Sequence, residues 1–180
     1  MAKHEEQETG IVAKGAGTIN RSPEEIYAYW RKLENLSGFV NHLRSVTQTH
    51  ATHSHWVVDA PAGIEVEWDA VITQDTPGEV IAWQSLPGSD VYNEGEVRFM
   101  AQPDKRGTIV RVSMTYRPPA GAIGKAVAKL FGAEPEQQIH EAMLKLRQLL
   151  EVGYITTTHG QPTGKRHPHL KDEAKEEASA

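Results

Sequence analysis

The chain has 180 residues, of which 38% are hydrophobic, and it carries a formal net charge of -5 at pH 7. This length and apolar content predict one domain with a buried core, and the scattered basic residues do not form the clustered positive face that binds nucleic acid. The sequence contains no cysteine, which excludes disulfides, thiol nucleophiles and cysteine metal sites.

No segment contains the run of about twenty apolar residues that a transmembrane helix needs. Residues 1–9 are too polar to resemble a signal peptide, so we predict a cytoplasmic protein. Both ends of the chain are rich in charge and poor in apolar residues. We therefore predict mostly disordered tails at residues 1–10 and 154–180, on either side of one domain at residues 11–153.

The first predicted elements are a strand at residues 11–20 and a helix at residues 22–33. Ser22 is the predicted N-cap, Pro23 occupies the first helical position, and Glu25 completes a capping box. A second short helix or a turn is predicted after residues 35–39. Three apolar side chains fall on the inward face of the first helix at helical spacing: Ile26, Trp30 and Leu33.

A series of β-strands is predicted between Asn41 and Pro118, because apolar and polar residues alternate there with a period of two. Turn-forming residues separate the strands. The predicted strands cover residues 54–58, 64–72, 80–83, 95–99 and 110–116.

The alternation also assigns the two faces of the sheet. The charged side chains are predicted to face solvent, and we interpret Glu65 and Glu67 as solvated because a general acid needs a desolvated site. The inward side chains are Ile64, Val66, Trp68, Ala70, Ile72, Val97, Phe99, Val110, Val112, Met114 and Tyr116. The outward ones are Glu65, Glu67, Asp69, Glu96, Arg98 and Arg111.

A long amphipathic helix is predicted at residues 134–151, with its apolar stripe formed by Ile139, Met143, Leu146 and Leu150. The segment at residues 120–132 is a weaker helix with breaks at both ends. It is either a mobile lid or a lead-in helix that packs in one place. Antiparallel strands followed by one long helix predict an α+β layer arrangement in which the helix covers a curved sheet and leaves room for a ligand.

Several sequence strings resemble the START-like superfamily (SRPBCC), in its polyketide cyclase/dehydrase, coenzyme Q-binding branch. They lie at residues 19–30, 33–39, 68–70, 81–85, 95–99 and 107–112, and the resemblance covers about residues 12–153. It implies a helix-grip fold, with a seven-stranded curved antiparallel sheet wrapped around a long C-terminal helix and two short helices after the first strand. The superfamily includes lipid carriers, quinone-binding proteins, hormone binders, aromatase/cyclases and hydrolases, so the resemblance carries over a fold and a cavity and no catalytic residue.

The predicted cavity residues come from the inner face of the sheet and from the helices. Aromatic side chains suit a ring-shaped or isoprenoid ligand, and the polar groups of Ser85, Asn93, Thr108 and Tyr116 are predicted to orient a carbonyl or hydroxyl. The predicted ligand-binding residues are Tyr27, Trp30, Trp56, Val66, Trp68, Trp83, Ser85, Val97, Phe99, Val112, Met114, Tyr116, Met143 and Leu146.

Histidines cluster at His50, His53 and His55. Two positions apart on a strand, His53 and His55 share a face at a spacing that zinc or copper can bridge. The sequence shows no obvious carboxylate beside them, and their phase is opposite to that of Trp56. We therefore interpret them as the solvent-facing edge of a hairpin and predict no metal. His140 is predicted to lie on the surface of the long helix.

Three functions from different classes fit this pattern. The favoured one is a carrier or sensor that encloses a hydrophobic molecule such as a lipid, quinone or polyketide, because the inner face is aromatic and few ionisable groups are predicted to be buried. The second is a cyclase or dehydratase in which Tyr116, Tyr27 or a serine orients the substrate. The third is a protein-interaction domain with a collapsed interior. We expect a monomer or weak dimer with no cofactor and no nucleic-acid partner.

Overall fold

The computed structural model describes residues 10–104, 106–131 and 134–155, so the predicted tails fall almost entirely outside the described residues. The strands are β1 (Ile11–Ile19), β2 (Leu43–Gln48), β3 (His53–Ala60), β4 (Ile64–Thr76), β5 (Val80–Ser85), β6 (Tyr92–Ala101) and β7 (Thr108–Arg117). The α-helices are α1 (Pro23–Arg31), α2 (Gly121–Phe131) and α3 (Pro135–Val152). Two 3₁₀ segments, Leu33–Gly38 and Pro61–Gly63, complete the described elements.

All seven strands form one antiparallel sheet in the order β1-β7-β6-β5-β4-β3-β2. Strands β2 to β7 each lie beside the next in sequence, while β1 pairs with β7. The N-terminal strand thereby becomes the edge on which α3 packs. The predicted helix-grip α+β fold is confirmed.

The capping box at the start of α1 is confirmed. The Glu25 amide donates to Ser22 Oγ at 3.2 Å, and the Ser22 amide donates to Glu25 Oε2 at 3.0 Å. The helix ends at Arg31, earlier than the predicted residue 33, because the chain turns into the 3₁₀ segment Leu33–Gly38. Ile26 and Trp30 are buried as the helical spacing predicts.

Strand β2 is absent from the strands that the alternation predicts. Its pairing with β3 contains an irregularity between Leu43 and Ser45, and the buried residues Leu43 and Val46 lie three positions apart. A bulge adds a residue to one strand and breaks the period of two. The sequence pattern therefore does not reveal the strand.

Helix α2 packs against β3, β4 and the turn Pro61–Gly63. Ala126, Val127 and Leu130 supply its buried face. The structure thus gives this segment a defined packing position, as expected for a lead-in helix, and the lid interpretation stays a prediction.

Helix α3 packs very closely on β1, where Gly15 and Gly17 face the helix. A Cβ atom at Gly15 would lie 2.5 Å from Ile139 Cγ2, and one at Gly17 would lie 2.9 Å from Met143 Cβ. At the other end of the contact, the Asn20 amide donates to Glu151 Oε1 at 2.7 Å. Because the glycines have no side chains, the buried stripe of α3 rests almost on the strand backbone.

This packing predicts that Gly15→Ala destabilises the fold. The added methyl must displace Ile139, and overpacking of this kind costs about 1–3 kcal/mol of the free energy of unfolding. Urea denaturation measures the loss. The matched control is Gly38→Ala, at an exposed glycine with open space around its Cβ position, which we expect to be neutral or to stabilise by up to about 1 kcal/mol. Equal losses in the two variants would contradict the close contact.

Candidate functional site

A cavity of about 100 Å³ lies between the inner face of the sheet and α3. Its walls come from the sheet, from α1, from the 3₁₀ segment Leu33–Gly38 with the residues after it, and from the first half of α3. From the sheet, the lining residues are Ala13, Trp56, Trp83, Val112, Met114 and Tyr116. From the other elements, they are Trp30, Leu36, Phe39, Val40, Asn41, Pro135, Gln138, Ile139, Ala142 and Met143.

The structure brings half of the predicted cavity residues to this lining, and whether they bind a ligand stays a prediction. The seven on the lining are Trp30, Trp56, Trp83, Val112, Met114, Tyr116 and Met143. Buried elsewhere in the core are Val66, Trp68, Ser85, Val97, Phe99 and Leu146. Tyr27 is half-buried and lies outside the lining.

Sequence reasoning missed several lining residues from the segment after α1 and from α3. Phe39 and Asn41 follow α1 in a segment without clear periodicity, and Gln138 lies on the flank of α3. The helical spacing of α3 carried a signal for Ile139, which belongs to the same apolar stripe as Met143, and for Ala142, which flanks that stripe.

Three tryptophans from neighbouring strands form one wall of the core. Trp56 stacks with Trp68 at a ring-centroid distance of 5.8 Å and with Trp83 at 6.4 Å, with interplanar angles of 15° and 20°. Gly95 makes room for this stack, because a Cβ atom there would lie 2.5 Å from Trp83 Cζ2. Trp56 and Trp83 form the part of the stack that faces the cavity.

Buried polar residues hold the cavity-facing indoles in place. Trp56 Nε1 donates to Ser54 Oγ at 2.9 Å, and Trp83 Nε1 donates to Asn93 Oδ1 at 2.8 Å. The backbone N–H of Asn93 in turn donates to Ser85 Oγ at 3.0 Å. Ser85 and Asn93, predicted to orient a ligand, therefore support the wall from inside the protein.

The other two polar residues predicted to face inward have different environments. Thr108 is fully buried, but its hydroxyl donates to the carbonyl of Arg21 at 2.7 Å and so fixes the chain before α1. Tyr116 lines the cavity, and burial raises the pKa of its hydroxyl to about 12. This hydroxyl stays neutral at physiological pH, which suits a hydrogen-bonding group better than a base.

The interior holds no buried carboxylate, imidazole, lysine or arginine among the residues that the structure describes. Tyrosine and tryptophan aside, the buried polar side chains there are those of Ser54, Ser85, Asn93 and Thr108. General acid–base catalysis requires a titratable group within hydrogen-bond reach of the reacting atom. Among the described residues, Tyr116 is the one titratable side chain on the lining of this cavity.

Polar contacts join the elements around the cavity. Asn41 Nδ2 donates to Glu141 Oε2 at 2.8 Å, and Lys145 Nζ donates to Asn41 Oδ1. Gln138 Nε2 donates to the carbonyl of Leu130. The side-chain amides of the lining residues Asn41 and Gln138 therefore have hydrogen-bond partners within the protein.

Tyr27 belongs to a polar cluster outside the cavity. Its hydroxyl donates to Asp75 Oδ1 at 2.5 Å, and Arg31 Nε donates to Asp75 Oδ2 at 2.8 Å. Burial acts to raise the pKa of Asp75, but the hydrogen bonds from Tyr27 and Arg31 outweigh it and lower the pKa below its ordinary value. The cluster joins α1 to the end of β4.

The histidine cluster differs from its sequence interpretation in one respect. His55 does have carboxylates beside it, because antiparallel pairing places Asp69 directly opposite on β4. His55 Nδ1 lies 2.9 Å from Asp69 Oδ1, and Nε2 lies 3.5 Å from Glu67 Oε2. His50 and His53 contact each other edge to face at 5.9 Å. Within the described ranges, no group of three or more histidine and acidic residues has a geometry that could hold a metal ion.

A family model described as polyketide cyclase / dehydrase and lipid transport matches residues 19–144. The chain belongs to this family. A protein of Deinococcus radiodurans with a solved structure is 39% identical, with a TM-score of 0.66 over 79% of this chain and 98% of that protein. A Thermus thermophilus protein is 23% identical, with a TM-score of 0.63 over 79% of this chain and 99% of that protein.

Two further proteins are similar to the chain, and the first of them shows the fold alone because its sequence identity is low. The Zhui aromatase/cyclase from a Streptomyces species is 12% identical, with a TM-score of 0.61 over 82% of this chain and 100% of that protein. An uncharacterized 17.2 kDa protein of Streptomyces lincolnensis is 30% identical over 92 residues, which span 51% of this chain and 59% of that relative. In the described part of the chain, none of the helices combines the length and apolar character needed to span a membrane.

The indole contacts predict different costs for two matched substitutions. Trp83→Phe leaves the buried Asn93 oxygen without its donor, whereas Trp68 Nε1 has no hydrogen-bond partner among the described residues, so Trp68→Phe breaks no such bond. Both changes remove the same atoms from a buried stack. We expect Trp83→Phe to lower the free energy of unfolding by about 1–3 kcal/mol more than Trp68→Phe, as measured by urea denaturation. Equal losses would show that the Asn93 contact does not support the wall.

The raised pKa of Tyr116 predicts a late tyrosine titration. Ultraviolet absorbance of tyrosinate, compared between the wild type and Tyr116→Phe, should show this group ionising near pH 12 instead of its ordinary value of 10.0. Because the folded-state pKa lies above the unfolded one, the stability that this shift contributes is complete below pH 10 and is lost as the pH rises toward 12. Ionisation at the ordinary value would contradict burial of the hydroxyl.

Proposed function

We propose that this family member binds a hydrophobic small molecule in the cavity between the sheet and α3 and acts as a carrier or sensor. The observation that carries the proposal is the apolar, largely aromatic lining of that cavity. Small-molecule sites are typically concave and apolar, with few polar groups. Membership of a family that includes lipid transport proteins supports the same function.

The polar groups around the cavity favour binding over reaction. The indole N–H groups of Trp56 and Trp83 and the amides of Asn41 and Gln138 all have protein partners. Because these polar groups are already hydrogen-bonded within the protein, they fix the shape of the cavity and are not free to take part in a reaction. The binding unit is the domain at residues 11–153, which we expect to act as a monomer or weak dimer in the cytoplasm.

A second candidate function is cyclase or dehydratase chemistry, and the position of Tyr116 on the lining favours it. There the hydroxyl would orient a substrate carbonyl while the cavity folds the chain and excludes water. We rank this function second because a hydroxyl whose pKa is raised to about 12 is a poor proton donor or acceptor at neutral pH. If the wild type converts a poly-ketone substrate and the Tyr116→Phe variant does not, the cyclase or dehydratase function becomes the favoured one.

The binding proposal predicts that filling the cavity weakens ligand binding. Ala142→Leu adds bulk at the lining, so we expect its affinity for a hydrophobic fluorescent probe to fall by about tenfold or more. The matched control, Ala128→Leu, carries the same change at an exposed position of α2 and should bind like the wild type. Fluorescence titration of the folded proteins measures both.

Two other outcomes would count against the proposal. If both variants bind the probe as the wild type does, the probe occupies another surface. If the wild type neither brightens the probe nor shows a higher melting temperature with hydrophobic ligands, the interior is closed and a protein-interaction role is favoured.

A further inference from the structure

We infer that the cavity selects a compact, uncharged, planar aromatic molecule of about one ring and discriminates against long-chain lipids and fused polycyclic molecules. This inference depends on the proposed function, because it names the class of molecule that the same cavity takes. It goes beyond that function in predicting an order of affinities.

Size is the first observation. The cavity measures about 100 Å³, whereas sites for larger ligands measure roughly 300 to 1,000 Å³. An apolar cavity of about 150 Å³ engineered in another protein binds benzene. A single ring therefore matches the space between the walls, whereas a long acyl chain or a fused polycycle would have to extend beyond them.

The way the walls are fixed limits expansion of the cavity. On one side α3 packs against β1 at Gly15 and Gly17, and moving the helix away from the strand would lose these contacts. On another side the hydrogen bonds from Trp56 to Ser54 and from Trp83 to Asn93 hold the indoles in the stack. A larger ligand would have to separate α3 from the sheet or break these buried bonds.

The surface presented to the cavity suits a flat ring. Trp56 and Trp83 line the cavity, and because their N–H groups are bonded within the protein, the surface that they offer a ligand is aromatic carbon. Aromatic rings favour offset-stacked or edge-to-face contacts with such surfaces. On the lining, the thioethers of Met114 and Met143 add the polarizable sulfur that also contacts rings favourably.

Charge excludes the headgroups of many lipids. An ion inside an apolar cavity needs a partner of opposite charge, and the described interior has no buried ionic side chain. At the rim, Glu141 and Lys145 both contact Asn41. Because this pair carries opposite charges, it gives no net attraction for a carboxylate. The preferred ligand is therefore neutral.

The test is a series of probes added to the wild-type protein: toluene, naphthalene, anthracene, dodecanol and palmitate. Calorimetry or quenching of tryptophan fluorescence measures each affinity. We expect toluene to bind, with anthracene, dodecanol and palmitate weaker by about tenfold or more. Tighter binding of dodecanol, palmitate or anthracene than of toluene would overturn the inference while leaving the proposed function intact. Failure of all five, together with failure of the fluorescent probe, would overturn both.

Variants of α3 test whether this cavity causes the selection. Met143→Ala enlarges it, so we expect the affinity ratio of naphthalene to toluene to rise by about tenfold. Ile139→Val removes one methylene-sized group at the lining and should raise the ratio less, which keeps the test usable if Met143→Ala does not fold. The control is Leu144→Ala, at an exposed position of the same helix, which should leave the ratio unchanged. Equal ratios in all three variants would overturn the assignment to this cavity.

Discussion

Close packing of α3 on β1 sets the geometry of the whole domain. Gly15 and Gly17 let Ile139 and Met143 approach the strand backbone to distances that no Cβ atom would tolerate. The helix is therefore anchored at β1, one edge of the sheet. Ile139 and Met143 also line the cavity, opposite the wall that contains Trp56 and Trp83, so the close contact at the two glycines fixes where these lining residues lie.

The buried polar residues of this domain support hydrophobic ones. Ser54 and Asn93 accept hydrogen bonds from Trp56 and Trp83, and Ser85 holds the backbone at Asn93. An indole N–H that is buried without an acceptor is costly, so these partners let two large aromatic side chains face an apolar space. Walls that are already ordered in the free protein reduce the entropy cost of binding a ligand, because fewer side chains have to be fixed when it binds.

Much of the fold follows from local sequence signals. The capping box at Ser22 and Glu25 gave the start of α1, the period of two gave most strands, and the stripe through Met143 gave α3. Strand β2 was not predicted because the bulge at Leu43 and Ser45 interrupts its alternation. Its existence followed only from the resemblance to a seven-stranded family.

The candidate site was less predictable, because strand phase separates inward from outward residues but does not say which inward residues reach the cavity. Val97 and Trp83 both point inward, yet only Trp83 lies on the lining. Asn41 also lies on the lining, and its side chain contacts Glu141 of α3, which is 100 positions away in the sequence. The carboxylates beside His55 depend on the register of β3 and β4. Register and helix placement are tertiary properties that one sequence does not display.

Native mass spectrometry of the protein purified from its own host would show whether the cavity holds a ligand. We expect a mass excess from a neutral hydrophobic compound in stoichiometric amount, which organic extraction releases and which the Ala142→Leu variant from the same host lacks. A wild-type protein that carries no such compound, and that takes up none of the aromatic or aliphatic probes when they are supplied, would contradict the proposed binding function.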